Sequence, residues 1–446
     1  MPVDVVFRIE QPHRTGMLAR VCRAIADGDG LIGDVTTVSI GAARSVRDIS
    51  VQVGDAAQAE RMAEILGSLD EVRVLEHHDP ALSAHEGGKL KIVPRVRVDS
   101  LQDLRDVYTP GVARVAQAIA ADPHLAGRYT KIGRTVGICT NGTRVLGLGD
   151  IGPVAAMPVM EGKALLYSAF AGLDAVPILI TDTVPEAFVQ TVLRIAPSFG
   201  AIHLEDIQVP ECFDIETQLI DRLDVPVLQN DVHGTAVATL AAMLIACRQL
   251  GRRLDTQTVG QVGIGAGGVG IARLSADAGV RGVLASDPDR AAQAHALAFG
   301  LDVVELDELM ARSDIVVAST GVPGLIGSEQ VREGQVILAL SNPEPEIDPG
   351  VALRAGAAFA ADGAMVNDAL AFPGIIRGAL MCGAAVISTG MKLAAADAIA
   401  RLADELGLVP SPLDHRLHGE VAAAVTEAAR DEGLARPDRV PAGLEP

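Results

Sequence analysis

The stretch Thr258-Val-Gly-Gln-Val-Gly-Ile-Gly-Ala-Gly-Gly-Val-Gly270 runs from an apolar, strand-like segment straight into a glycine-rich turn. Strand Thr258–Ile264 leads to Gly265, Gly267 and Gly270, and helical periodicity resumes over Ile271–Ala278. Gly265 permits the tight turn, Gly267 lets backbone approach a pyrophosphate, and Gly270 allows close helix packing. The helix N-terminus then presents unpaired N–H groups to the phosphates. Asp287 closes the next strand, 22 positions after Gly265. A carboxylate there can bond a ribose 2′-hydroxyl and repel a 2′-phosphate. NAD is therefore expected as the dinucleotide, with Arg290 close enough to keep NADP open.

Working outward, a helix over Thr235–Leu250 precedes this unit, and strands Val283–Ser286, Ile315–Ser319 and Val336–Ala339 follow it with helical stretches between. Strands alternating with helices at this spacing predict a parallel, doubly wound α/β sheet of Rossmann type, assigned to residues 231–430. Residues 431–446 carry three prolines and are expected to lie loosely on the surface. Residues 89–230 form a second α/β region containing buried strands such as Val176–Ile180. Residues 79–88, with Pro80, Gly87 and Gly88, are expected to be a linker. Residues 1–78 alternate as βαββαβ, a small ferredoxin-like unit.

Composition narrows the function. The 446-residue chain has a formal charge of -20 and no tryptophan, so its cores are aliphatic. A nucleic-acid footprint would need clustered Lys and Arg, which this balance opposes. The apolar run Ala236–Cys247 is too short for a bilayer and fits a buried helix. The Met1-Pro-Val-Asp4 start lacks a basic segment with an apolar core behind it, so no leader is expected. Five cysteines without C-x-x-C spacing read as reduced core thiols in a cytoplasmic protein.

Three carboxylates carry the chemistry. Glu205-Asp206 follows the apolar run Ala201–Leu204, and Asp231 follows Val225–Leu228. Singly, each fits a helix cap. At neighbouring strand ends they converge on one crevice, where hard oxygen ligands suit Mg²⁺ or Mn²⁺. A divalent metal beside a dinucleotide suggests oxidation of a chelating hydroxy acid. Tyr108, Lys163 and Arg144 read singly as a core tyrosine, a surface charge and a surface ion pair. His233, close to Asp231, reads as a structural hydrogen-bonding histidine.

Seven ordered motifs surround these residues: Asp103–Val112, Leu146–Gly152, Met160–Tyr167, Leu204–Ile207, Asn230–Ala236, Ser341–Pro343 and Phe372–Gly374. With them, the chain from about Lys89 to Lys392 resembles the malic enzyme family. The segment His13–Ala26, with Gly16 at its strand–helix turn, resembles the ACT domain family. That resemblance implies either edge-to-edge dimerisation alone or an amino-acid effector held near Gly16.

The malic enzyme resemblance implies oxidative decarboxylation of malate to pyruvate with reduction of NAD. Glu205, Asp206 and Asp231 would hold the metal. Lys163, its pKa lowered by burial and a nearby cation, would take the hydroxyl proton, and Tyr108 would protonate C3. Arg144 would clamp a substrate carboxylate. Asn342, Asn367 and Asp368 would line the substrate and nicotinamide side, with Thr235 near the nicotinamide. Two positions depart from the family pattern: Asn230-Asp231 where Asp-Asp is common, and Asn367-Asp368 where Asn-Asn is common. These are read as partly compensating, so that net site charge is kept. The rival readings are conversion of malate to lactate with held NAD, and a catalytically silent ACT-based sensor. A homodimer or higher oligomer is expected.

Overall fold

The computed structural model describes residues 3–145, 147–403 and 409–444. Leu146, the first residue of the Leu146–Gly152 motif, lies outside them, as do the chain's last two residues. Two compact units are present, Met1–Lys91 and Ile92–Pro446.

In the first unit, strands β1 (Val3–Pro12), β2 (Leu31–Ile40), β3 (Arg44–Val53) and β4 (Arg73–His78) form a sheet of order β2-β3-β1-β4. All its pairings are antiparallel. Helices Met17–Asp27 and Ala56–Gly67 complete the βαββαβ order. Alternate residues of β1, Val5, Phe7 and Ile9, are buried against Val21, Ile25 and Met62 of those helices. This period-2 pattern meeting helical spacing is what makes the unit fold. The expected linker is not structureless: Pro80–His85 is a short helix capped by Asp79, which accepts from Ala81 and Leu82 N–H.

The second unit holds two parallel sheets. The smaller contains β5 (Thr135–Thr140), β6 (Asp174–Leu179), β7 (Ala201–Leu204) and β8 (Val227–Gln229) in the order β6-β5-β7-β8. The larger contains β9 (Thr258–Val262), β10 (Gly282–Ser286), β11 (Asp302–Val303), β12 (Ile315–Ala318), β13 (Val336–Ala339) and β14 (Phe359–Asp362). Its order, β11-β10-β9-β12-β13-β14, reverses direction at β9, the doubly wound arrangement whose crevice opens at the carboxyl ends of the strands. Strands β7, β12 and β13 are buried at every position, and β12 and β13 read as continuous apolar runs.

Helix Asn230–Gln249 is mostly buried and packs beside helix Ala266–Asp277. A Cβ on Gly270 would lie 2.2 Å from the Val232 carbonyl oxygen, so this glycine is what lets the two backbones meet. By length and composition that first helix could cross a membrane, but it is the central core helix here. It begins five residues before the expected Thr235, because the Gln229 side chain accepts from Val232 N–H and caps it. Asn230 and Asp231 thereby enter its first turn instead of preceding it.

The carboxyl-terminal segment is a second correction. It is anchored, not loose: Leu444 is buried, Arg436 N–H donates to the Cys382 carbonyl, and the Arg436 and Arg439 guanidiniums both hold Asp224. Proline content indicated irregular backbone, and irregular backbone can still be well packed.

Candidate active site

The site is built at the carboxyl ends of β7 and β8, where the sheet delivers Glu205, Asp206 and Asp231 to one point. One carboxylate oxygen from each lies within 4.8 Å of the others. Asp206 takes a left-handed backbone, φ 56°, and its N–H donates to Asp231 Oδ2 at 3.0 Å. Asp206 Oδ2 is buried without a hydrogen-bond partner. Burying such an oxygen unpaired is costly unless something charged meets it.

The electrostatics agree. Burial, reinforced by Glu205 and Asp231, pushes the Asp206 carboxyl up to about 9. Burial and Glu205 push Asp231 up to about 7. Burial acts the same way on Glu205, but Lys163 and His203 outweigh it and hold that carboxyl at about 2. Three oxygens that repel one another, one of them orphaned, fit a divalent cation. Glu205, Asp206 and Asp231 are the residues that would hold it.

This arrangement predicts a pH dependence. The folded values of Asp206 and Asp231 lie above the unfolded value of 3.8. Their contribution to stability is therefore full below pH 3.8 and is lost as pH rises through about 7 and then about 9. A cation binds the ionised carboxylates and reverses that loss. The rise in Tm on adding millimolar Mg²⁺ should be small at pH 6 and grow towards pH 9. A rise that shrinks with pH, or survives Asp206→Asn unchanged, rules the site out.

Lys163 enters from helix Gly152–Leu166, its amine over the Phe372 ring at 5.0 Å. It donates to Asp368 Oδ2 at 2.6 Å and lies 3.1 Å from Glu205 Oε1. Burial alone would lower its pKa, as the motif reading expected. With no cation at the carboxylates, Asp368 and Glu205 outweigh burial and hold it above the usual lysine value. The same Asp368 oxygen accepts from Asn230 Nδ2 at 2.5 Å, and Asn230 Nδ2 also lies 3.0 Å from Glu205 Oε2. The two departures from the family pattern are thus in direct contact around one lysine.

Two residues were missed. His203 is fully buried, with Nε2 2.5 Å from Glu205 Oε2 and Nδ1 2.8 Å from the Tyr167 hydroxyl. His203 lies two positions before Glu205, and Tyr167 four after Lys163. Strand and helix periodicities place such pairs on shared faces, which was the available signal. His233 is structural as expected, between Glu216 Oε2 at 3.0 Å and the Lys392 amine at 3.3 Å.

On the dinucleotide side, Gly265, Asp287, Arg290 and Arg144 line a cavity of about 840 Å³. Asp287 Oδ2 accepts from Ile264 N–H at 2.7 Å and Oδ1 from Asp289 N–H at 2.8 Å, so the carboxylate is fixed at the strand end. The Arg144 guanidinium lies beside Gly265, where a Cβ would come within 2.9 Å of Nη2. Gly267 sits against Thr235, whose Cγ2 would be 3.4 Å from a Cβ there. Asn342 is half-buried, its amide 2.7 Å from where a Gly363 Cβ would be. Asn367 is exposed and caps the turn that carries Asp368, accepting from Ala369 N–H at 2.8 Å. Tyr108 is not brought in: its side chain is 65% exposed and its hydroxyl makes no hydrogen bond among the described residues.

Residues 88–220 match the N-terminal domain of malic enzymes. Over 94% of its length the chain is 48% identical to NAD-dependent malic enzyme 1 of Bacillus subtilis, covering 96% of that protein. The chain belongs to the malic enzyme family. The NAD-dependent malic enzyme of Geobacillus stearothermophilus is 38% identical over 99% of this chain and 97% of its own. The crystal structure of malic enzyme from Pyrococcus horikoshii Ot3 superposes with a TM-score of 0.76 at 36% identity, covering 80% of this chain and 91% of that one. Residues 241–323 match the NAD binding domain of D-isomer specific 2-hydroxyacid dehydrogenases, the stretch that contains the Gly265 turn.

Proposed function

We propose that this chain oxidises malate at C2 and releases CO₂ to leave pyruvate, with NAD as hydride acceptor. The observation that carries the reading is Lys163 hydrogen-bonded beside the Glu205, Asp206 and Asp231 cluster. Lys163 takes the C2 hydroxyl proton as hydride leaves C2. The C3–carboxylate bond then breaks, and Tyr108 returns a proton to C3. Bound at the three carboxylates, a divalent cation would polarise the substrate oxygen and offset the field that keeps Lys163 protonated. Arg144 holds a substrate carboxylate from beside the glycine turn, and Asn342, Asn367 and Asp368 line the substrate side. Thr235 lies towards the nicotinamide, and Gly265, Gly267, Gly270 and Asp287 serve the dinucleotide. Asp287 favours NAD, while Arg290 in the same cavity leaves room for NADP.

The test is malate with Mn²⁺ and either dinucleotide, following reduced dinucleotide and pyruvate. NAD should be preferred; no turnover with either would refute the assignment. One relative supports a second reading: the bifunctional malic/malolactic enzyme of Bacillus subtilis is 38% identical over 80% of this chain. Lactate formed without free NADH would favour it.

The first unit is proposed to be an ACT domain that pairs through its edge. Strand β2 is an edge strand exposing Leu31, Val38 and Ile40, which suits pairing in a homodimer. An amino-acid effector is proposed to bind near Gly16, which holds φ 88° at the first strand–helix turn. Five free cysteines, four of them buried, support a cytoplasmic setting.

A further inference from the structure

Glu346 is fully buried, and every hydrogen-bond partner of its carboxylate is neutral. Oε1 accepts from Thr320 N–H at 2.6 Å, from the Thr320 hydroxyl at 2.8 Å and from the Ser341 hydroxyl at 2.5 Å. Oε2 accepts from Ser341 N–H at 3.3 Å. Taking a carboxylate out of water without a counter-charge is costly, and several well-placed donors are needed to offset it. All four donors belong to two residues, each two positions beyond one of a pair of neighbouring parallel strands: Thr320 after β12 and Ser341 after β13. The Ser341 hydroxyl also accepts from Gly321 N–H at 2.8 Å, and Ile326 N–H donates to the Glu346 carbonyl at 3.0 Å. One side chain thus ties two strand-end loops into a single wall.

That wall has a defined place in the crevice. The order β10-β9-β12-β13 puts Asp287, just past β10, on one side of the Gly265 turn and the two loops on the other. A dinucleotide with its pyrophosphate at the turn and its adenosine ribose at Asp287 carries its nicotinamide half over β12 and β13. Ser319, Thr320 and Val322 line the same cavity as Gly265 and Asp287. A Cβ on Gly263 would lie 2.7 Å from the Ser319 carbonyl oxygen, so the first loop is pressed against the strand end that leads into the turn. Asn342 directly follows Ser341.

We propose that Glu346 is a positioning residue for the nicotinamide half of the dinucleotide. It touches no ligand itself; it fixes the Thr320 loop and the Ser341-Asn342 loop against which that half lies. The inference rests on the dinucleotide site given under Proposed function.

The test is Glu346→Gln, with binding of NADH and of ADP, which lacks the nicotinamide half, measured by NADH fluorescence and by calorimetry. Neither measurement needs turnover. An amide oxygen has two lone pairs and cannot serve three donors, and in that orientation the amide NH₂ meets Ser341 N–H. NADH should bind about 10-fold more weakly, the worth of one charge-assisted hydrogen bond, while ADP affinity stays within about twofold. Unchanged NADH affinity overturns the proposal. Equal weakening of both ligands also overturns it, since that is what a merely structural carboxylate would give. A wild-type protein that binds ADP and NADH equally poorly sinks the dinucleotide reading itself, and this inference with it. Should Glu346→Gln fail to fold, Ser341→Ala carries the test, because it removes a single donor to Oε1. NADH should then weaken roughly 3-fold with ADP unaffected, and equal binding of NADH by that variant and the wild type overturns the proposal.

Discussion

Replacing Lys163 by Ala is expected to lower kcat for malate oxidation by roughly 10²–10⁴-fold, the usual worth of a positioned proton-transfer group. Lys163 has the required geometry: it lies between Glu205 and Asp368, 13% exposed, at the rim of the carboxylate cluster. KM for malate should change far less than kcat, because the lysine acts when the proton moves. Small primary amines added to the Ala variant should recover part of the rate, which a merely structural lysine would not allow. Loss of this one cation also leaves Glu205 and Asp368 facing each other, so the variant should lose thermal stability and regain much of it with Mg²⁺. A variant that keeps wild-type kcat would remove Lys163 from the mechanism.

The second large effect concerns the exchanged pair at 230 and 368. Asp368 accepts from both Lys163 and Asn230 through one oxygen, at 2.6 and 2.5 Å. Asp368→Asn replaces the carboxylate by an amide, which keeps only one accepting oxygen and removes the negative charge beside the lysine. Activity should fall on the order of 10-fold or more, consistent with losing a charged hydrogen bond. Because Asp368 is the strongest influence raising the Lys163 pKa against burial, the acid limb of the kcat profile should move to lower pH. Asn230→Asp alone sets a third carboxylate against Glu205 and Asp368 and should also impair the enzyme. Combining the two changes returns one carboxylate and one amide to the lysine with their positions exchanged. The double variant should be more active than either single one, a coupling of about 1 kcal/mol or more. Additive losses, or an unshifted pH profile for Asp368→Asn, would mean that the two departures are independent.

Legibility followed the range over which each signal acts. The strands after Thr258 were readable because buried parallel strands are short apolar runs punctuated by turns. Strand Val336–Ala339 occupies its expected residues, and Ala201–Leu204 likewise. The start of helix Asn230–Gln249 was misplaced because its cap is a glutamine, outside the usual Ser, Thr, Asp and Asn set. The shift matters, since it puts Asn230 and Asp231 on one helical turn facing Glu205. The carboxyl-terminal segment was misjudged because anchoring by Arg436 and Arg439 on Asp224 joins residues more than two hundred positions apart.

By itself the sequence determined the family, the α/β architecture, the dinucleotide turn and the carboxylates at strand ends. These follow from local periodicity, glycine spacing and ordered motifs, all written along the chain. Only the tertiary structure decided the seating of Lys163 between Asp368 and Glu205, the Asn230–Asp368 contact, the Tyr167–His203–Glu205 chain and the exposure of Tyr108. Charge and burial at a point depend on every residue the fold brings there, and no spacing along the chain encodes that sum.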